Sequence, residues 1–343
     1  MWRYSGPFFF LGSIPLLHAW SPAAPFLTIA LLLAVLIGAE FITSSHTLRD
    51  EPTPGARFRW LPMLYVGAQI AVTAWAIVGV SSPHSTPFAF LALLFSVGIV
   101  SGVFGMLTAH ELVHSHSTNA RLVGATMLTA MIYGQFRISH IYGHHRWAAT
   151  ARDSSTAWRG ESFYAFLLRT VPAQFKEAWR FEHRSCRTRG LAWYHNRIHL
   201  DLIITFGLYA LIFALTGAVG LLFFILQAAI AVIVLELFNY IAHYGLMRHS
   251  VDQRFEPLGD EHSWNSSNAL ANLVIFNMGR HSDHHRHPAR SYERLTAIAG
   301  APELPAGYAY SILLALVPPL WHRLMDAKLD SLAESESHAK AAA

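Results

Sequence analysis

The stretch "GRHSDHHRHP", Gly279–Pro288, places four histidines within seven positions of a 343-residue chain that is 53% hydrophobic and only 13% charged. His281, His284 and His285 stand at i, i+3 and i+4, a spacing that puts their rings on one side of a helix. Three further clusters lie upstream. "HELVHSH" carries His110 and His114, "HIYGHH" carries His140, His144 and His145, and "NYIAHYGLMR" carries His243. Each multi-histidine cluster repeats a four-residue step, so each can direct two or three ring nitrogens the same way. His116 and His287 adjoin these boxes and are expected to serve as outer neighbours or to face solvent.

The rest of the chain decides what the boxes sit on. Six stretches approach the length of ~20 apolar residues that crosses a bilayer: Pro7–Trp20, Pro25–Thr43, Leu61–Val80, Phe88–Ala109, Leu200–Thr216 and Val219–Asn239. The fold class expected is therefore all-α and integral to a membrane, a single domain of six transmembrane helices. A histidine-rich cap would be formed by residues 110–199 and 240–326, with a disordered tail over 330–343. The start "MWRYSGPFFFLGSIPLLHAW" runs straight into a second apolar segment, which reads as a retained helical hairpin and not a cleaved signal peptide. The turns at Ser21–Ala24, Ser81–Pro87 and Gly217 carry no Lys or Arg. The loop Ser44–Trp60 and the stretch His140–His199 are rich in Arg. The positive-inside rule places these basic loops, the boxes and both termini in the cytoplasm, the expected membrane being a bacterial inner membrane. The basic residues thus report topology, and no nucleic-acid partner is expected.

Another apolar stretch, Leu122–Ile138, lies between the first two boxes. Only about 25 residues separate His114 from His140, too few for two crossings. If the boxes converge, this stretch must be re-entrant or interfacial. Tyr308–Trp321 is broken by "VPP" and reads as an interfacial or docked helix.

Nine imidazoles at one membrane face suit a transition metal of intermediate softness. They are too many for one ion and comfortable for two, since zinc needs only three or four ligands. A pair of irons could activate dioxygen above an apolar substrate held between the spans. Cys186 is the one cysteine, so the chain supplies no disulfide framework and no cysteine-ligated cluster. "HELVH" alone also fits the HExxH pattern of zinc proteases, with Glu111 as general base, but that reading leaves the other boxes unexplained. A histidine-rich metal transporter is the rival from a different class; transporters place ionisable ligands in mid-span, whereas these sit at span ends.

"HELVH", "HIYGHH", "NYIAHYGL" and "RHSDHH", in this order, resemble the membrane-bound non-haem di-iron alkane 1-monooxygenases of the fatty acid desaturase and hydroxylase superfamily. The likeness runs from about His110 to Asp326. It implies nine iron ligands, His110, His114, His140, His144, His145, His243, His281, His284 and His285, and two iron ions. It implies that one atom of O2 enters a terminal C–H bond, most simply of a medium-chain n-alkane, and that the other leaves as water. Electrons would come from a separate rubredoxin or ferredoxin with its NAD(P)H reductase, because this chain lacks cysteines for such a centre. An alkylaromatic methyl hydroxylase, a lipid desaturase and a fatty-acid decarboxylase share the scaffold and stay open. Ser139 and Ala242 stand where the family usually has Glu, Ser115 where it has Lys, and Gly279 where Gln is common. Glu111, Asp283 and Glu236 are the acidic residues expected nearest the metals, where any of them would orient an imidazole.

Overall fold

The computed structural model describes residues 4–42, 60–252 and 254–342. Most of the Arg-bearing loop Ser44–Trp60 lies outside them. The chain is helical almost throughout: α1 (Gly6–Trp20), α2 (Phe26–Ile42), α3 (Leu61–Val80), α4 (Pro87–Val113), α5 (Thr118–Ala130), α6 (Phe163–Thr188), α7 (Arg197–Ala242), α8 (Ala269–Val274), α9 (His281–Arg286), α10 (Tyr308–Ala315) and α11 (Pro318–Ala342). A two-residue antiparallel ladder pairs Ser250–Val251 with Arg254–Phe255. Among the described residues, α3, α4 and α7 are long and apolar enough to cross a membrane; α2 is apolar but shorter.

α7 is not one rod. Gly217 has φ 68° and ψ −165°, outside helical space. The consequence can be read from contacts at its two ends. Arg137 Nη2 donates to Asp201 Oδ1 and Oδ2 at 2.9 Å, while Tyr133, one helical turn away in sequence, donates its hydroxyl to Glu236 Oε1 at 2.8 Å. A continuous helix would hold Asp201 and Glu236 roughly 50 Å apart. Both meet the same short segment, so the chain doubles back at Gly217 into two legs. This is the turn expected between Thr216 and Val219, and a positive φ there suits glycine at little cost.

The second leg packs unusually close to α4. A Cβ at Gly98 would lie 2.8 Å from Ile230 Cβ, and one at Gly102 would lie 2.5 Å from Val234 Cβ. The Gly98-x-x-x-Gly102 spacing puts both glycines on one face and lets the backbones approach, as small residues do between membrane helices. Around this contact a core forms from α1 to α4 and α7, including Phe10, Leu32, Tyr65, Val97, Phe104 and Phe223. α5 occupies the stretch expected to be re-entrant or interfacial, ends at Ala130 and packs on α3 and α4 without continuing to His140. The 330–343 tail departs from expectation: α11 runs to Ala342. "AESESHAKAA" is built of good helix formers, and their propensity continues the helix that the low complexity masks.

Candidate metal centre

α4 delivers the first box: its last seven residues, Leu107–Val113, follow a π-helical segment at Ser101–Met106, and His110 and His114 stand at its end. The second box lies in another π-helical segment, Ser139–His144, flanked by single turns at Phe136–Ile138 and His145–Trp147. His243 caps the second leg of α7, and α9 carries the fourth box. Widened turns of this kind cluster at functional sites. Left-handed backbone at Ile132 and Ala149 brackets the second box, and the same conformation at Phe276 and Asn277 precedes the fourth. Each such residue costs of order 1 kcal/mol and persists because its surroundings fix it. Ala149 N–H donates to Thr156 Oγ1, and Ala149 O accepts from Arg248 N–H.

The nine expected histidines converge, and they form two groups. His110, His114, His140, His145 and His284 offer nitrogens all within 4.8 Å of one another, and His144, His243, His281 and His285 do the same. The boxes do not map one to a group. His144 parts from His140 and His145, and His284 parts from His281 and His285. His116 and His287 are exposed and belong to neither.

The spacing fits an ion and fits hydrogen bonding poorly. His243 Nε2 lies 3.0 Å from His281 Nε2 and 3.1 Å from His285 Nε2, which lie 3.1 Å from each other. His243 Nδ1 faces the carbonyl of His262 at 3.2 Å and so carries the proton, leaving a lone pair on Nε2. In the other group His110 and His140 Nε2 are 2.6 Å apart, and His145 Nε2 lies 3.0 Å from His140 and 3.1 Å from His114. Two nitrogens at ~2.1 Å from one ion and at right angles stand about 3 Å apart. His144 Nε2 and both ring nitrogens of His284 are buried with no hydrogen-bond partner. Burial, with neighbouring imidazoles as the lesser cause, holds His140, His145, His281, His284 and His285 well below the usual histidine range, and His114 down to about 3. Neutral imidazoles with inward lone pairs are the ligand form that a first-row transition metal takes.

The carboxylate that orients an imidazole is one the sequence reading missed. His144 Nδ1–H donates to Asp153 Oδ2 at 2.9 Å, which fixes the tautomer and aims Nε2 into the four-imidazole group. Asp153 is itself held by the Thr156 hydroxyl at 2.7 Å and the Ser155 N–H at 3.1 Å. Gln174 Nε2 ties Ser155 Oγ to Glu236 Oε1 at 3.0 Å each, so this loop is also fastened to the second leg of α7. The three acidic residues expected nearest the metals have other tasks. Asp283 takes Arg290 at 2.7 Å and the Thr296 N–H. Glu236 is bound by Tyr133, Gln174 and Asn239. Glu111 Oε1 accepts the Tyr292 N–H. Ser139 Oγ bonds back to the Phe136 carbonyl.

On the apolar side, a void of about 20 Å³ touches one histidine from each group, His110 and His281, and is walled by Ala242, Phe238 and Tyr308 among others. Phe238 and Tyr308 also line a second cavity of about 400 Å³ between α2, α4, α7 and α10.

The chain matches the family model described as fatty acid desaturase over residues 83–312. It is 40% identical to an alkane 1-monooxygenase of Ectopseudomonas oleovorans over 275 residues, 78% of this chain and 66% of that one. It is 39% identical to an alkane 1-monooxygenase of Pseudomonas putida over 311 residues, 89% and 76% of the two chains. The hydroxylase component of a xylene/toluene monooxygenase from Pseudomonas putida is 29% identical over 245 residues, 70% of this chain and 64% of that one. The chain thus spans about two thirds to three quarters of the length of these relatives. With nine histidines, seven of them buried and His114 and His145 half-buried, gathered in two groups at the end of apolar helices, the chain belongs to the fatty acid desaturase family, among the alkane 1-monooxygenases.

Proposed function

We propose that this protein hydroxylates the terminal carbon of an apolar substrate, most simply a medium-chain n-alkane to its primary alcohol, with O2 as co-substrate. The observation that carries the reading is the placement of two imidazole groups, five and four strong, next to a small void that touches His110 and His281 and shares the walls Phe238 and Tyr308 with a larger apolar cavity. Bound in these groups, two irons would supply the activation of dioxygen. The balance is one alkane, one O2, two electrons and two protons giving one alcohol and one water.

The residues of the chain do the rest. Burial keeps His114, His140, His145, His281, His284 and His285 neutral, with their lone pairs free for the ions. Asp153 orients His144. The aliphatic walls hold the chain and exclude water, so the oxidising chemistry meets carbon and not solvent. Electrons come from outside, from a rubredoxin or ferredoxin and its NAD(P)H reductase. Arg146, Arg152 and Arg248 gather around Trp147 and Phe255 next to the second box and offer an acidic donor a charged landing site. In this reading α1 to α4 and the two legs of α7 make six spans, the boxes face the cytoplasm, and the membrane is the bacterial inner membrane.

The likeness to a xylene/toluene hydroxylase component favours one second reading, oxidation of a methyl group on an aromatic ring. Membranes carrying the protein, a rubredoxin, its reductase and NADH decide between them when given octane, dodecane, p-xylene or lauric acid under isotopically labelled dioxygen. Labelled 1-octanol or 1-dodecanol is the expected product. Label only in the benzylic alcohol moves the protein to the alkylaromatic reading. An unlabelled alkene overturns hydroxylation.

A further inference from the structure

We propose that Phe238 and Tyr308 form an aromatic threshold between the apolar cavity and the imidazole groups, with Phe238 the part that moves, and that this threshold selects the carbon presented for oxidation. The inference rests on the hydroxylase reading and adds a specificity-determining pair to it.

The two voids fix the geometry. The larger, about 400 Å³, is lined by aliphatic and aromatic side chains with Glu40, Ser266 and Tyr308 as its polar members. Phe95, Ile233, Leu313 and Leu316 line it and are also exposed on the outer helix surface, so it opens sideways. Such a port suits a ligand that arrives through lipid. The smaller void, about 20 Å³, has room for about one water. It is the one that reaches His110 and His281. Phe238 and Tyr308 wall both voids, and their rings stack at 5.4 Å and 25°. A hydrocarbon in the large cavity therefore reaches the metal ligands only if one of these rings gives way.

The two rings are held differently. The Tyr308 hydroxyl donates to the Trp264 carbonyl at 2.8 Å. Its backbone begins α10, where the Glu40 carboxylate of α2 accepts the N–H of Ala309 at 3.0 Å and of Tyr310 at 3.4 Å. Trp264 is fastened in turn through its indole N–H to the Tyr244 carbonyl and through its backbone N–H to the Ala242 carbonyl, both at 2.8 Å. Tyr308 is thus pinned at both ends. Phe238 has only packing to hold it, and its ring borders empty space on two sides. Turning Phe238 joins the voids into one narrow passage with Tyr308 as its fixed wall. A slot one ring wide admits a methyl end more readily than the middle of a chain.

The test uses the iron-loaded full chain in lipid nanodiscs as wild type, Phe238→Ala, Phe238→Leu and Phe238→Trp, with rubredoxin, reductase and NADH. Phe238→Ala is expected to raise the ratio of 2-octanol to 1-octanol by about tenfold or more and to admit cyclohexane, with Phe238→Leu intermediate should the alanine variant not fold. Phe238→Trp is expected to cut kcat/KM for octane by about tenfold or more at unchanged iron content and melting temperature, the range over which one change of shape in an apolar pocket acts. Unchanged product ratios in the small variants, with octane turnover within about twofold in Phe238→Trp, overturn the threshold while leaving the hydroxylase reading intact. Should the wild type oxidise no alkane, that reading fails, and the threshold is judged by the iron Mössbauer spectrum on adding octane. A change in wild type and Phe238→Ala that is lost in Phe238→Trp supports it, and a wild-type spectrum indifferent to octane overturns it.

Discussion

Replacing Asp153 by Ala tests whether the two imidazole groups hold two separate ions. The carboxylate is buried and its oxygens receive three donors, the His144 Nδ1–H at 2.9 Å, the Thr156 hydroxyl at 2.7 Å and the Ser155 N–H at 3.1 Å. The first of these matters most for the metal, because it decides which nitrogen of His144 keeps the lone pair. Loss of an outer partner of this kind lowers metal affinity about 10- to 100-fold, or about 1.4 to 2.8 kcal/mol. Leaving buried donors unpaired adds about 1–3 kcal/mol of destabilisation. The loop itself should stay in place, since Ala149 N–H still bonds Thr156 Oγ1 and Gly245 N–H still bonds the Ala157 carbonyl. His144 belongs to the four-imidazole group alone. The expected result is therefore asymmetric. Under challenge with a chromogenic chelator, Asp153→Ala releases one iron about 10- to 100-fold more readily and the second at the wild-type rate. Asp153→Asn, which keeps an oxygen to accept the Nδ1–H, should fall between. Equal loss of both irons, or two irons held as in wild type, refutes the assignment of Asp153 to one of two distinct sites.

His243→Ala should likewise deplete iron from the four-imidazole group, since His243 Nε2 sits about 3 Å from the Nε2 atoms of both His281 and His285; full iron content with full activity would remove His243 from the ligand set. Gly102→Val places its Cβ 2.5 Å from Val234 Cβ and 3.1 Å from Ala231 Cα. Such overpacking costs about 1–3 kcal/mol, so a thermal melt should show a clear loss, and an unchanged melting temperature would contradict the close α4–α7 contact. In the metal-free protein, burial keeps His140, His145, His281, His284 and His285 neutral where the unfolded chain begins to protonate near 6.5. The unfolded state then binds more protons, so stability is full above about pH 7 and falls as pH drops through 6.5, by up to about 1.4 kcal/mol per pH unit for each such imidazole. Denaturant melts from pH 8 to 5 read this directly, and a stability that rises on acidification would reverse the sign.

The sequence carries the ligands and the legs of the fold because both depend on short periodic patterns. Histidines four apart mark themselves, and Leu61–Val80 is an unbroken apolar run with polar flanks, so α3 has the bounds its composition suggests. The turn at Gly217 is legible because glycine interrupts two apolar runs without any charge. What is hidden follows from angles that spacing alone does not resolve. At about 100° per residue, His281 and His285 stand about 40° apart on α9, while His284 lies about 100° from His285; one box therefore feeds two groups. The second box splits for a different reason, since its turn is widened and a helical wheel does not apply.

The same geometry explains where the acidic neighbours point. Proximity in sequence singled out Asp283, but a residue two places after a ligand points about 200° away from it on a helix. Asp283 accordingly turns from the imidazoles to Arg290. The residue that does orient a ligand, Asp153, stands nine positions after His144 in a loop, where no period relates the two. The signal available was local: "ARDSSTAW" is a turn whose Asp accepts Ser155 N–H and Thr156 Oγ1–H, leaving lone-pair capacity on Oδ2 for an outside donor. A carboxylate so held cannot move to meet a ring, so the ring must come to it. The loop after the second box therefore acts as a template that sets His144 before any ion binds, and this is why removing Asp153 should weaken one ion and spare the other.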